Sequence, residues 1–274
     1  MFLFKKIIYF LRFYQRAVTI YDLHSPLLAK YLLPLFYGKK PKLSAIETRR
    51  KSLLKDKRQL TKTEFGAGSY FQTGNTLFIN KMTANSPVSS KEGMWLALLA
   101  NQSGTKTILE LGTHFGLSTS YLASLNKNVQ IYTIEGCPET AAIATETFEL
   151  LGLTDRIHQQ IGSFDEILPS FLPECQPIDL LFIDGNHRGK PLIHYLNVCS
   201  PYLSPEGIIV LSDIYWSEDM AQTWVNIYEK NTQFHAIDLF YFGILVPRND
   251  QIGERHTLYI IDVLWKPWRI GLFQ

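Results

Sequence analysis

From residue 107 onward the chain alternates short apolar runs with helical stretches, and this rhythm constrains the fold more than any other feature. TILELG (107–112), VQIYTIE (129–135), RIHQQIG (156–162), IDLLFIDG (178–185) and GIIVLSD (207–213) have the length and the apolar content of strands. Between them, LSTSYLASL (117–125), PETAAIATETFELLGL (138–153), FDEILPSFL (164–172), KPLIHYLNVCSPYL (190–203) and EDMAQTWVNIYEK (218–230) space their apolar residues at a helical period. Strand–helix alternation of this kind predicts an α/β domain with a doubly wound, mostly parallel sheet and right-handed crossovers. FHAIDLF (234–240) and FGILVPR (242–248) are separated by a single residue. Only a tight antiparallel connection fits there, so the seventh and last strand should run against the others.

The region before this rhythm differs in kind. Residues 1–60 hold 14 Lys and Arg against three Asp and Glu, whereas the whole chain nets only +2. They read as helices broken by Pro26, Pro34, Gly38 and Pro41, with AIETRRKSLLKDKRQL (45–60) a charged, exposed helix. The first twenty residues form a basic amphipathic helix, with Lys5, Arg12 and Arg16 on one side. Its apolar run, IIYFL, is too short to span a bilayer, and no small-residue cleavage site follows. The favoured expectation is packing on the main domain; lying on an anionic membrane surface is the alternative. Residues 61–88 read as loop, and a helix should start at Ser89 or Ser90. Expected boundaries are therefore a basic helical extension and loop over 1–88, the main domain over 89–250, and a tail over 251–274 packed on it. The three cysteines form neither a zinc pattern nor a disulfide framework, which fits free thiols in a reducing, cytoplasmic setting.

In such sheets ligands bind beyond the carboxyl ends of the strands. Two glycine loops compete for that role, EFGAGS (64–69) and ELGTHFG (110–116). The second follows a strand and opens a helix, so it is the expected binding loop; the first reads as an ordinary turn. Gly112 would permit a tight exit from the strand, and Gly116 a close approach of backbone to ligand. The spacing is G-x-x-x-G, no lysine completes a phosphate loop, and no Arg or Lys occurs between 107 and 126. Acids stand there instead. Glu135, ending the second strand, suits the two hydroxyls of a ribose, and Glu110, beside the first glycine, suits a cationic amino group. S-adenosylmethionine answers that description: it has a ribose, an ammonium and a sulfonium, and carries no phosphate.

Over roughly 90–250, ILELGTHFGLSTSYLA, YTIEGCPETAAIA, IGSFDEILP, LLFIDGNHRGK and YLSPEGIIVLSDIYW follow one another in an order that resembles the class I, Rossmann-like S-adenosylmethionine-dependent methyltransferases. The nearest likeness is to the O-methyltransferase branch, with its catechol-type and bacterial sugar enzymes. DLHSP, EFGAGS and KPWRIGLF resemble a subgroup of uncharacterised bacterial methyltransferases. The resemblance implies that Glu110, Gly112 and Gly116 cup the methionine part of the donor, that Glu135 holds the ribose, and that Ser163 and Phe164 border the adenine.

On the acceptor side the resemblance implies catalytic roles for Asp184 and Asp213, and in the metal-dependent members these positions hold Mg2+. The chain departs from that pattern twice: Ile214 stands where a third ligand would be, and Asn186 where the sugar enzymes place an aspartate as base. Two carboxylates with waters can still bind Mg2+ weakly. With Asn186 unable to take a proton, His187 becomes the expected base. His114, His24 and His194 are expected to be structural, and Arg188 and Lys190 to be a solvated helix start.

The expected activity is therefore methyl transfer to a small-molecule acceptor, most naturally at oxygen. Two alternatives compete with it. One is a nucleic-acid or membrane-associated methyltransferase using the basic segment, although no RNA-binding motif or N-P-P-Y loop is visible and a nucleic-acid partner is disfavoured. The other is a non-catalytic S-adenosylmethionine binder. A cytoplasmic protein peripheral to the inner membrane face, and a homodimer, both remain compatible with the sequence.

Overall fold

A computed structural model of the chain describes residues 2–22, 26–38, 40–61, 76–85, 88–102, 104–248, 257–263 and 266. His24, the EFGAGS loop and most of the C-terminal tail lie outside the described residues. The main sheet has eight strands: β3 (Thr107–Leu111), β4 (Gln130–Glu135), β5 (Ile157–Ile161), β6 (Ile178–Ile183), β7 (Leu203–Ser212), β8 (Phe234–Asp238), β9 (Phe242–Pro247) and β10 (Thr257–Tyr259). A separate two-stranded ribbon pairs β1 (Gln59–Thr61) with β2 (Thr76–Phe78).

Across the main sheet the order is β10-β8-β9-β7-β6-β3-β4-β5. All neighbours pair in parallel except β9, which runs antiparallel to both β7 and β8. The seven expected strands are therefore present, with the antiparallel one placed as the sequence required. The eighth, β10, comes from the tail and pairs with β8 in parallel. The chain winds from β3 out to β5, then returns to lay β6 on the other side of β3. The carboxyl ends of β3 and β6 are thus the topological switch point, where a crevice opens in sheets of this kind.

The strands alternate their side chains between two cores, as a period of two demands. Leu180 and Phe182 of β6 face the layer built from α5 (Ser90–Ala100), α6 (Leu117–Leu122) and α7 (Pro138–Leu151). Leu181 and Ile183 face α8 (Phe164–Phe171), α9 (Gly189–Cys199) and α10 (Glu218–Lys230). Local chemistry sets the helix ends. Ser89 and Glu92 form a capping box on α5, Ser163 caps α8, Ser217 caps α10, and Gly152 stops α7 in the left-handed conformation.

The basic extension is attached through more than its charge. In α2 (Pro26–Tyr37), Leu28, Leu32 and Leu35 join the first core, and Pro34 sits inside the helix instead of breaking it. The charged helix α3 (Ser44–Leu53) is half-buried, not exposed throughout. Ile46, Arg49 and Leu53 face inward, and the Arg49 Nε donates to Thr147 Oγ1 on α7 at 3.0 Å. The stretch 61–88, read from sequence as loop, contains β2 and α4 (Ile79–Asn85) among its described residues.

Helix α1 (Phe2–Arg16) packs at the β8–β10 side of the sheet. Phe13 is buried against Phe240 and Tyr259, Tyr9 stacks on Tyr215 at 5.6 Å, and Lys5 pairs with Glu218. Past the helix, Val18 bridges to Ile260 beyond β10. No helix among the described residues is long and apolar enough to cross a membrane.

Candidate functional site

The half of the switch point where the sequence expects the donor is built from the turn after β3 and the ends of β4 and β5. Gly112 leaves β3 at φ +108, and a Cβ there would lie 2.6 Å from the main-chain oxygen of Asp184. Only glycine lets β3 end this close to the end of β6. Gly116 is also left-handed, φ +75, but its missing side chain makes room for Phe148 and Ala144 of α7. The space where a Gly116 Cβ would stand is taken by α7, so this glycine lets the loop pack closely on that helix.

Glu110 is fully buried beneath this loop. Its Oε2 accepts from Thr119 Oγ1 at 2.5 Å and Thr133 Oγ1 at 2.7 Å, while Oε1 has no hydrogen-bond partner. Burial pushes its carboxyl up to about 7. Glu110 therefore supports the loop from below, and one oxygen is left over.

Glu135 is partly exposed at the end of β4. Its carboxylate accepts from the His114 N–H at 2.8 Å and from the Cys137 N–H at 3.0 Å, tying the glycine loop to the turn before α7. Burial raises its carboxyl pKa, against the pull of those backbone donors. His114 itself lies in the left-handed region, φ 49, so its backbone shapes the loop. At the next strand end, Ser163 Oγ accepts from the Glu166 N–H, and Phe164 packs edge-on to Tyr195 with centroids 5.2 Å apart. A Cβ on Gly185 would touch the Phe164 ring at 2.7 Å, so this ring lies directly beside the acceptor half.

The half where the sequence expects the acceptor hangs from the ends of β6 and β7. Asp184 is fixed by its N–H to Leu111 O at 2.9 Å, and Asp213 by its N–H to Tyr241 O at 3.1 Å. Asp213 and Asn186 both have left-handed backbones, φ 52 and φ 50, an uncommon conformation that turns their side chains out of the strand path. Among the described residues, Asp184, His187 and Asp213 bring one ligand atom each within 4.8 Å of one another. Burial, and then the charge of Asp213, hold the Asp184 carboxyl well above the usual carboxylate range. Ile214 is fully buried in the second core and offers no donor. Asn186 Nδ2 donates to the Tyr195 hydroxyl at 3.2 Å.

Several groups around this half were not singled out from sequence. The His187 ring lies 5.6 Å from that of Trp216. Asp238, fully buried at the end of β8, accepts from Tyr215 Oη at 2.7 Å, Trp224 Nε1 at 2.9 Å and the Phe240 N–H at 2.8 Å. It thereby anchors the aromatic turn that follows Asp213. The signal was the D-I-Y-W run at a strand end, but the partner acid lies 23 residues downstream of Tyr215.

Residues 109–214 match the protein family described as "Methyltransferase domain". A catechol O-methyltransferase of Niastella koreensis is 36% identical over 128 residues, covering 46% of this chain and 57% of that protein. The catechol O-methyltransferase of Mycobacterium tuberculosis is 33% identical over 104 residues, covering 38% and 46%. The chain spans about half the length of the curated relatives it matches. Among solved structures, an O-methyltransferase of Bacillus cereus in complex with S-adenosylhomocysteine superposes with a TM-score of 0.57 at 23% identity, covering 81% of this chain and 97% of the other. A methyltransferase of Podospora anserina bound to the same product reaches 0.60 at 17% identity, covering 85% and 100%. Residues 109–214 are thus similar to a methyltransferase domain, and the chain shares its fold with solved methyltransferases.

Proposed function

We propose that this protein transfers the methyl group of S-adenosylmethionine to an oxygen of a small-molecule acceptor. The observation that carries the reading is the meeting of two chemistries at one switch point: Glu135 spanning the glycine loop, and Asp184, His187 and Asp213 converging beside it. In this reading Glu135 receives the ribose hydroxyls, Gly112 and Gly116 hold the loop against the methionine part, Glu110 braces that loop, and Ser163 and Phe164 border the adenine. The relatives named as catechol O-methyltransferases support oxygen as the acceptor atom. The solved neighbours bound to S-adenosylhomocysteine support the donor.

The chemistry is an in-line displacement. The acceptor oxygen attacks the methyl carbon, the carbon–sulfur bond breaks, and S-adenosylhomocysteine leaves. The oxygen loses its proton to a neighbouring group, and the cluster offers carboxylate and imidazole acceptors for it. A divalent cation fits the same residues, because Asp184, His187 and Asp213 bring one ligand atom each within 4.8 Å of one another. Asp184 and Asp213 would hold an Mg2+-type ion, which supplies positive charge that favours the deprotonated acceptor.

Asp184→Asn tests the assignment. It should abolish methyl transfer to a panel of catechols and related hydroxyl compounds while calorimetry with S-adenosylhomocysteine stays near wild type. Full activity in the variant would remove Asp184 from the chemistry. A peripheral contact of α1 with an anionic membrane belongs to the same reading, supported by the exposure of Ile7 (50%) and Leu11 (55%) beside its basic side chains. Sedimentation with phosphatidylserine vesicles should be lost on Ile7→Ser/Leu11→Ser; no sedimentation of the wild type would end that proposal.

A further inference from the structure

We propose that Asp238 is a positioning residue for the transfer: its buried carboxylate sets the turn that carries Asp213 and thereby orients that side chain toward the acceptor. The proposal rests on the function proposed above, since it takes Asp213 as part of the acceptor site. Asp238 itself is fully buried at the end of β8. It accepts from Tyr215 Oη and Trp224 Nε1 through Oδ2, and from the Phe240 N–H through Oδ1. All three partners donate, which is the bonding of an ionised carboxylate.

Two of these bonds lead to Asp213. The first runs through Tyr215, two residues beyond it in sequence. The Tyr215 ring stacks on Tyr9 of α1 and on Phe240, with centroids 5.6 Å and 5.2 Å apart, so hydroxyl and ring are both held. The same turn closes on itself, with the Trp216 N–H donating to Asp213 O at 2.8 Å. The second route runs through the connection from β8 to β9. There Asp238 Oδ1 holds the N–H of Phe240, a bulky residue in the left-handed region at φ 70. The next residue, Tyr241, accepts the Asp213 N–H on its carbonyl at 3.1 Å. Asp213 is left-handed as well, φ 52, and such backbones persist only where their surroundings over-determine them. Asp238 fixes the surroundings on both sides at once.

The third bond leads elsewhere. Trp224 lies on α10, fully buried in the second core, and its bond to Asp238 fastens that helix to β8. A group kept only to fasten the helix would need one acceptor oxygen. An unpaired charge taken out of water is costly, and an amide would make that single tie at less cost. Asparagine has only one acceptor oxygen, so whichever way its amide turned, one route to Asp213 would meet an N–H2 group and be lost. The two-sided demand of the Asp213 turn therefore accounts for an acid at this position. Asp238 lies beneath that turn and acts through Asp213.

The test uses the full chain and two readouts. One is hydrogen exchange of the Asp213 amide, measured relative to that of Val210 in the buried part of β7. The other is kinetics with catechol as acceptor, alongside calorimetry with S-adenosylhomocysteine. Tyr215→Phe and Asp238→Asn should each speed Asp213 exchange relative to Val210 by more than about fivefold, the scale of one lost hydrogen bond. They should lower kcat by about tenfold or more, because a displacement of about 1 Å at a reacting group can cost about a hundredfold. The KM for catechol and the S-adenosylhomocysteine affinity should stay within about twofold, as they do when only the transition state is affected. Trp224→Phe takes the third donor from the same carboxylate. It should lower the melting temperature yet leave kcat and the relative exchange within about twofold. If Asp238→Asn does not fold, Tyr215→Phe against Trp224→Phe decides alone, and where catechol is not methylated the exchange pattern decides. A Tyr215→Phe protein with wild-type kcat and exchange would overturn the proposal. So would a Trp224→Phe protein that changes both as much, or a loss of donor affinity as large as the loss of kcat. Absence of S-adenosylhomocysteine binding in the wild type, with the exchange pattern as expected, would sink the methyltransferase reading alone. Normal donor binding with exchange unmoved in Tyr215→Phe would sink the role of Asp238 alone.

Discussion

The two halves of the crevice are built from different materials. The half proposed for the donor is made of backbone: left-handed glycines, a loop tied by Glu135 to the neighbouring turn, and a buried acid beneath it. The acceptor half is made of side chains carried on strained non-glycine turns, Asp184, Asn186, His187 and Asp213. A backbone site reads the part of a ligand that never changes, because its donors cannot be swapped by substitution. A side-chain site is adjustable, and here Ile214 is buried without a donor group and Asn186 presents an amide.

The sharpest way to break this contrast is to put a side chain into the backbone half. In Gly112→Ala a methyl group must occupy space 2.6 Å from the Asp184 carbonyl oxygen, on a backbone at φ +108. Neither neighbour is a flexible side chain, so both ends of β3 and β6 must shift. The expected cost is more than about 3 kcal/mol. Urea unfolding and S-adenosylhomocysteine calorimetry should show lowered stability and lost binding together. A stable variant with normal affinity would mean that the two strand ends are not as tightly joined as the geometry requires.

The buried acid under the loop gives a pH signature of about the same size. Glu110 is raised to about 7 by burial, against an ordinary value of 4.5. At pH well below 4.5 both folded and unfolded chains carry the proton, and the group contributes its full stability. As pH rises the unfolded chain ionises first, so stability falls until the pH passes about 7 and then levels. The loss amounts to as much as about 3 kcal/mol. Glu110→Gln stays neutral and should lose less stability than wild type between pH 5 and pH 8. Parallel pH profiles for the two proteins would show that Glu110 does not titrate in this window.

Glu135 tests the same half through the ligand. Glu135→Ala removes a carboxylate that now holds the His114 and Cys137 N–H groups and would meet the ribose. S-adenosylhomocysteine should bind more weakly by about 2 kcal/mol, or about 30-fold. Unchanged affinity in calorimetry would take the ribose away from Glu135.

Much of this was legible in the chain because period and punctuation are local. The strand–helix rhythm, the hairpin forced by a one-residue connection, and the capping box at Ser89 all act over a few residues, and all are present. The loop proposed for the donor is local in the same way: Glu110, Gly112 and Gly116 lie on one loop, and Glu135 ends the next strand. What escaped depends on distant pairing. Strand β10 exists because Thr257–Tyr259 meets β8. The buried Arg49 was read as part of a solvated face, since nothing near it in sequence announces Thr147. The convergence of His187 with Asp213 was likewise hidden. Each was a candidate alone, but their meeting depends on left-handed turns that no residue type announced.

The smallest expected effect sharpens the contrast from the acceptor side. Asn186 donates through Nδ2 to the Tyr195 hydroxyl, and its Oδ1 is buried without a partner. An aspartate tolerates the same left-handed backbone, and the Tyr195 hydroxyl can rotate to donate to it, so Asn186→Asp should cost only about 1 kcal/mol of stability. It adds a third carboxylate to a neighbourhood where burial, and then the charge of Asp213, already raise the Asp184 carboxyl pKa. The pH–rate profile with a hydroxyl acceptor should therefore gain or shift a limb on its acid side. S-adenosylhomocysteine affinity should stay within about twofold, because the donor half does not use this side chain. If donor affinity instead fell as far as in Glu135→Ala, the division into a backbone half and a side-chain half would be wrong, and the crevice would have to be treated as one coupled site.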